Sequence, residues 1–218
     1  MDFHDSVSSA SHLAGAAWAL VAALFLVRLA RPAPRHMRLA LAVYGVCLVT
    51  LYTASGLFHG LSYTSPEARQ IWRTLDRSAI YGLVAGTGLP VMAAGLLRRS
   101  RIGFQSATVV AALAGVACLW LLPAPDYRLT IALYFLVGGI MLMPTRAYYR
   151  TYGGRGMAYL VAGVVVYTVG AVIEVAEWPD PWPGVVGFHE LLHFFDLAAS
   201  SIHYVFLAKF VALAAGRL

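Results

Sequence analysis

Charge is what this chain has least of. Only 12% of its 218 residues are Asp, Glu, Lys or Arg, about half the roughly 25% usual in soluble domains, while 60% are hydrophobic. So little polar surface excludes an ordinary water-soluble enzyme or binding module. Cysteine is almost absent as well: Cys47 and Cys118 both fall inside apolar stretches, where a disulfide framework has no support and a small packing residue is the simpler reading. No basic leader precedes the first apolar run. Met1-Asp2-Phe3-His4-Asp5 is acidic and no small-residue cleavage site stands out before the next run, so that run is not expected to be a secretory signal. Internal repeats and low-complexity tracts are also missing, and the breakers are ordinary ones, Arg31-Pro32-Ala33-Pro34, Pro123-Ala124-Pro125-Asp126 and Tyr152-Gly153-Gly154.

What the chain has in abundance is long apolar runs, with a mean hydropathy of +0.72. They lie near His12–Leu29, Leu39–Leu57, Ile80–Leu97, Ala107–Leu122, Leu129–Met143, Met157–Ile173 and Phe188–Val211, most of them close to the roughly 20 residues that span a hydrocarbon core. The runs are continuous, whereas barrel strands alternate apolar and polar residues. An all-α polytopic membrane protein is expected, a bundle of seven transmembrane helices forming one domain over residues 1–218, its connections too short for a second.

The net charge of +6 does not point to nucleic acid, because the basic residues are scattered through short loops and make no single patch. Twelve of the 16 belong to the first, third and fifth connections and the C-terminal end: Arg28, Arg31, Arg35, Arg38, Arg98, Arg99, Arg101, Arg146, Arg150, Arg155, Lys209 and Arg217. Arg69, Arg73, Arg77 and Arg128 fall on the opposite face. The positive-inside rule then predicts a plasma-membrane protein with an external N-terminus and a cytoplasmic C-terminus.

Chemistry concentrates in the last run. His189, His193, Asp196, Ser200 and His203 follow spacings of 4, 3, 4 and 3 among Leu, Phe, Ile and Ala, a single helical stripe that must face the bundle interior. Two histidines four apart sit about 40° from each other around a helix, so His189 and His193 can share a metal ion. Ser200 and His203 read as members of an interhelical hydrogen-bond network. Counting crossings puts the end of the second span, the start of the third and the start of the seventh at one membrane face. His59, with Ser55 one turn behind it, is therefore the expected third ligand. Asp76 is expected at the same depth, as a water-orienting base, an outer-shell partner or a helix cap. Three imidazoles and a water make an open zinc site of catalytic type.

Two further features adjoin this site. Glu190 completes an HExxH pentad, the zincin signature, but the third ligand here lies far upstream, so Glu190 also reads as an acid neutralising the first turn of its helix. The segment Trp178-Pro179-Asp180-Pro181-Trp182-Pro183-Gly184 is expected to be a stiff, lid-like or interfacial turn that sets the depth of His189.

Taken together, Ser-x3-His late in span two, Leu-Asp before Ala-Ile-Tyr-Gly-Leu-Val-Ala-Gly-Thr in span three, Pro-Asp-Pro-Trp-Pro-Gly-Val-Val-Gly-Phe-His-Glu-Leu-Leu-His into span seven and Ser11-His12-Leu13-Ala14-Gly15 in span one resemble the bacterial haemolysin III proteins. These belong to the progestin and adipoQ receptor family, which is related to the alkaline ceramidases. The resemblance covers essentially the whole chain. It implies zinc held by His59, His189 and His193, with Ser55 and Asp76 as the polar residues that accompany the metal and its water. It also implies either a zinc-dependent hydrolase of lipid amides or esters, with membrane lipids as partners, or a non-enzymatic membrane sensor; a cytolytic role has no recognisable pore-forming element behind it. The chain departs from the family pattern at Arg77, commonly His, at Thr87-Gly88-Leu89-Pro90, and at Glu174 and Asp196, positions usually apolar or aromatic. An Arg77–Asp196 ion pair across spans three and seven is expected, since either charge alone is costly at membrane depth.

Overall fold

The computed structural model describes residues 3–122 and 126–215; Met1 and Asp2, the Pro123-Ala124-Pro125 breaker and Arg217 lie outside the described residues. Among the described residues seven long helices follow one another: α1 (Phe3–Leu29), α2 (Arg35–Gly60), α3 (Pro66–Gly95), α4 (Arg98–Leu121), α5 (Tyr127–Leu142), α6 (Thr145–Ala176) and α7 (Phe188–Phe206), the last continued by a π-helical run over Leu207–Ala212 and a short helical turn over Leu213–Ala215. No strand occurs among the described residues, only an isolated antiparallel bridge between Trp182 and Val186. Six of the seven helices are long and apolar enough to cross a membrane. The seventh, α5, has 16 residues and a length of about 24 Å, short of the roughly 30 Å hydrocarbon core.

The helices outrun the apolar stretches that announce them, most of all in α3. That helix begins at Pro66, well before the apolar run that opens at Ile80. Ser65 caps it, its side chain accepting from the Ala68 N–H at 3.2 Å, and Pro66 fits the first turn because its missing N–H has no partner to lose. Asp76 is therefore inside the helix, about 15 Å from its start, and the helix-cap alternative for this residue is ruled out. The Tyr152-Gly153-Gly154 breaker acts where it stands. Gly153 takes φ 65° and ψ −178°, a conformation open to glycine and strained for any residue with a Cβ, so it interrupts α6 near its start.

Around the second helix the core is dense: Leu41, Tyr44, Leu48 and Tyr52 are fully or almost fully buried, with Phe206 and Leu207 from the last helix. Small residues let neighbours approach. A Cβ on Gly56 would lie 2.8 Å from the Leu13 side chain, so α1 and α2 can pack this closely only with glycine there. Outward faces are apolar as well; Val21, Leu24 and Phe25 on α1 are all more than half exposed, which water would penalise and lipid does not. Between α6 and α7 the connection is pinned by mutual backbone hydrogen bonds of Trp182 and Val186, at 3.0 and 2.8 Å. Trp178 and Trp182 stay exposed, as interfacial anchors do.

Candidate metal centre

At one end of the bundle, the last turns of α2 meet the first turns of α1 and α7. Ser9 Oγ donates to the Gly56 carbonyl at 2.9 Å, and Ser8 Oγ donates to Glu190 Oε1 at 2.7 Å. This is the level reached by counting crossings, and it brings the three expected histidines together. His59, His189 and His193 each offer a ring nitrogen, all within 4.8 Å of one another. His59 and His193 are buried, while the His189 side chain keeps 36% of its surface exposed; the cluster is open on one side.

The separation between His59 Nε2 and His189 Nε2 is 3.3 Å. Two nitrogens each about 2.05 Å from a tetrahedral zinc ion would be about 3.3 Å apart, so this pair already has the required edge. The His193 ring is buried as well, and its Nδ1 has no hydrogen-bond partner among the described residues, a condition natural proteins seldom leave unanswered. A borderline-soft set of neutral imidazoles suits zinc better than a hard cation that prefers oxygen. The residues present therefore fit the metal.

Ser55 and Asp76 occupy the flank of the cluster. Ser55 is buried on α2 beside the Asp76 carboxyl, and Asp76 is close enough to His189 to interact with it electrostatically. Neither belongs to the group of converging ligand atoms, which leaves Asp76 beside the cluster and not within it.

Glu190 has a different place. It is 3% exposed, with Oε1 held by Ser8 and Oε2 accepting the Gly187 N–H at 2.9 Å. Oε1 ties the start of α7 to α1 and Oε2 caps the first turn of α7 itself, an arrangement that leaves little for a zincin-like base to do. Ser200 and His203 also make interhelical bonds. Tyr52 Oη donates to Ser200 Oγ at 2.7 Å, Tyr167 Oη lies 2.6 Å from the same oxygen, and His203 Nε2 donates to the Leu160 carbonyl at 3.1 Å.

The Arg77–Asp196 pair is not formed among the described residues. The Arg77 guanidinium instead lies 4.7 Å above the Tyr127 ring, whose electron-rich face attracts a cation without a buried carboxylate. Asp196 opens into a cavity of about 290 Å³ bounded largely by Leu83, Val84, Ile131, Phe135 and Tyr134.

Two residues at the centre were not assigned a role from the sequence. His12 is 2% exposed and stacked on His193. Glu174, noted only as a departure, reaches His189 Nδ1 with both carboxylate oxygens, at 3.2 and 3.1 Å. The count of crossings that singles out His59 applies equally to His12, since span one starts at that same face.

Helices with lipid-facing exteriors and a histidine cluster at one end define a multi-pass integral membrane protein with a candidate metal centre. A family model described as "Haemolysin-III related" matches residues 3–204, and the chain belongs to that family. The "Hemolysin-3 homolog" of Bacillus subtilis (strain 168) is 28% identical over 161 residues, covering 73% of this chain and 71% of that one. "Hemolysin-3" of Bacillus cereus is 28% identical over 167 residues, 76% of this chain and 72% of its own. The wider likeness to the progestin and adipoQ receptors is consistent with both.

Proposed function

We infer that this protein is a zinc-dependent hydrolase of lipid amide or ester bonds, built on a seven-span bundle in which α5 is the short member. The observation that carries the reading is the three-histidine cluster, open on one side at membrane depth. His59, His189 and His193 would hold the ion. When bound, zinc polarises a carbonyl and makes a hydroxide-like nucleophile available near neutral pH.

The chain's own residues account for the rest of the chemistry. The Asp76 carboxylate, reaching toward the cluster from α3, accepts the proton of the attacking water and returns it to the leaving amine or alkoxide. Ser55 orients that carboxylate from α2. Leu192 and Glu174, which bound the edge of the apolar cavity, adjoin His193 and His189, so an acyl chain seated there has its polar end near the cluster. This favours a lipid substrate over a water-soluble one.

Purified protein in lipid nanodiscs, assayed on ceramides, acyl amides and phospholipids with and without zinc, tests the assignment. Asp76→Asn should keep its zinc and lose turnover by about 10²–10⁴-fold, the range for a general base. One observation favours a second reading, a sensor with structural zinc: the cluster joins α2 to α7, as a staple would. Zinc-dependent stability without turnover of any of these lipids would select the sensor.

A further inference from the structure

Glu174 lies in an otherwise apolar turn, Ala171-Val172-Ile173-Glu174-Val175-Ala176, where an unpartnered carboxylate is costly. Its side chain is only 10% exposed. Both of its oxygens converge on one atom, His189 Nδ1. Oε1 also accepts from Tyr127 Oη at 3.1 Å, and the Arg77 guanidinium covers the Tyr127 ring. The opposite nitrogen of the same imidazole, Nε2, faces His59. Five helices, α3, α5, α6, α7 and α2, thus contribute to one chain of contacts that ends at the open side of the histidine cluster.

A neutral imidazole carries one N–H and one lone pair, and the partner of one nitrogen decides the state of the other. The 3.3 Å between His189 Nε2 and His59 Nε2 is compatible with two arrangements. If Nε2 of His189 bears the proton, it donates to His59 and the cluster closes on itself. If Nδ1 bears it, Nε2 presents a lone pair and the cluster can take a metal. A carboxylate against Nδ1 selects the second arrangement and also fixes the plane of the ring.

We propose that Glu174 is a positioning residue that holds the proton of His189 on Nδ1 and so directs the Nε2 lone pair into the three-histidine cluster, with Tyr127 bracing the carboxylate. This rests on the reading of those histidines as zinc ligands.

The full-length protein, stripped of metal and titrated with zinc against a chromophoric chelator, tests the proposal. Glu174→Leu should weaken zinc binding by about 10–100-fold, the usual consequence of losing an outer-shell partner. Glu174→Gln, which keeps an acceptor oxygen and almost the same shape, should fall between Leu and wild type. In the metal-free protein, nitrogen-15 spectra of labelled histidine should show His189 protonated at Nδ1 in wild type and mixed in Glu174→Leu, a change that mere loss of packing does not produce. Wild-type affinity in both variants overturns the role of Glu174 and leaves the metal centre standing; should Glu174→Leu fail to fold, unchanged affinity in Glu174→Gln overturns it alone. A wild type that binds no zinc overturns the metal reading and this proposal together.

Discussion

His12 lies flat against His193, their ring centroids 3.7 Å apart and their planes 14° from parallel. Tyr52 closes the other approach to His12 edge-on at 5.0 Å, so His193 is held from the first helix as well as by its own. A ligand whose ring plane is set by a stack loses less freedom when it coordinates. His12→Ala should therefore cost about 1–3 kcal/mol of stability, as a buried truncation does, and should weaken zinc binding. His12→Phe keeps the stacking face and should recover most of the affinity. Chelator competition and melting curves check both; equal affinity in wild type, Ala and Phe variants would show that the stack has no bearing on the ligand.

Metal content is the most direct prediction. Elemental analysis of the purified protein should give about one zinc per chain, and His59→Ala, His189→Ala and His193→Ala should each lose most of it. Because the ligands come from α2 and α7, removing the ion should lower the melting temperature, as removal of any ligand specific to the folded form does. Full zinc content in folded His189→Ala and His193→Ala variants would place the site elsewhere.

Helical periodicity and crossing number made the histidines legible. His189 and His193 are four apart on one helix, and His59 falls at the same depth because an even number of crossings returns the chain to the same face. His12 satisfies the same count, but no i,i+4 partner draws attention to it. Glu174 was visible as an acid in an apolar turn, yet periodicity alone does not say that α6 turns it toward His189 and not toward lipid. The helix-cap alternative for Asp76 had a simple physical origin. Membrane helices run on into the interface, so the start of the apolar run at Ile80 says nothing of a helix that Ser65 caps fifteen residues earlier.

Arg77 and Asp196 were expected to pair, and their actual neighbours change the expected outcome. Arg77 stacks on Tyr127, whereas the Asp196 side chain borders the apolar cavity. With no direct contact between the two side chains, the stability losses of Arg77→Gln and Asp196→Asn should add within about 0.5 kcal/mol. A larger coupling energy in a double-mutant cycle would restore the ion pair.

Orientation follows from the basic residues alone. Twelve of 16 fall on one face, which predicts a cytoplasmic C-terminus and an external candidate metal centre. Fusions of a periplasm-active and a cytoplasm-active reporter to the C-terminus should give signal only from the cytoplasmic one. Activity confined to the periplasmic reporter reverses the topology.

Glu190 provides the sharpest contrast with Asp76, because the two carboxylates compete for the role of proton acceptor. Its oxygens are engaged by the Ser8 hydroxyl and the Gly187 N–H, and the residue is buried where α1 crosses the start of α7. Hydrogen bonds to a charged acceptor contribute about 1.5–3 kcal/mol, so Glu190→Gln should lower stability, and a cycle with Ser8→Ala should show coupling of about 1–3 kcal/mol. Zinc content and turnover per folded molecule should stay within a few-fold of wild type, unlike the large loss in Asp76→Asn. A Glu190→Gln variant that melts like wild type but loses turnover as severely as Asp76→Asn would transfer the base to Glu190 and restore the zincin reading of the pentad.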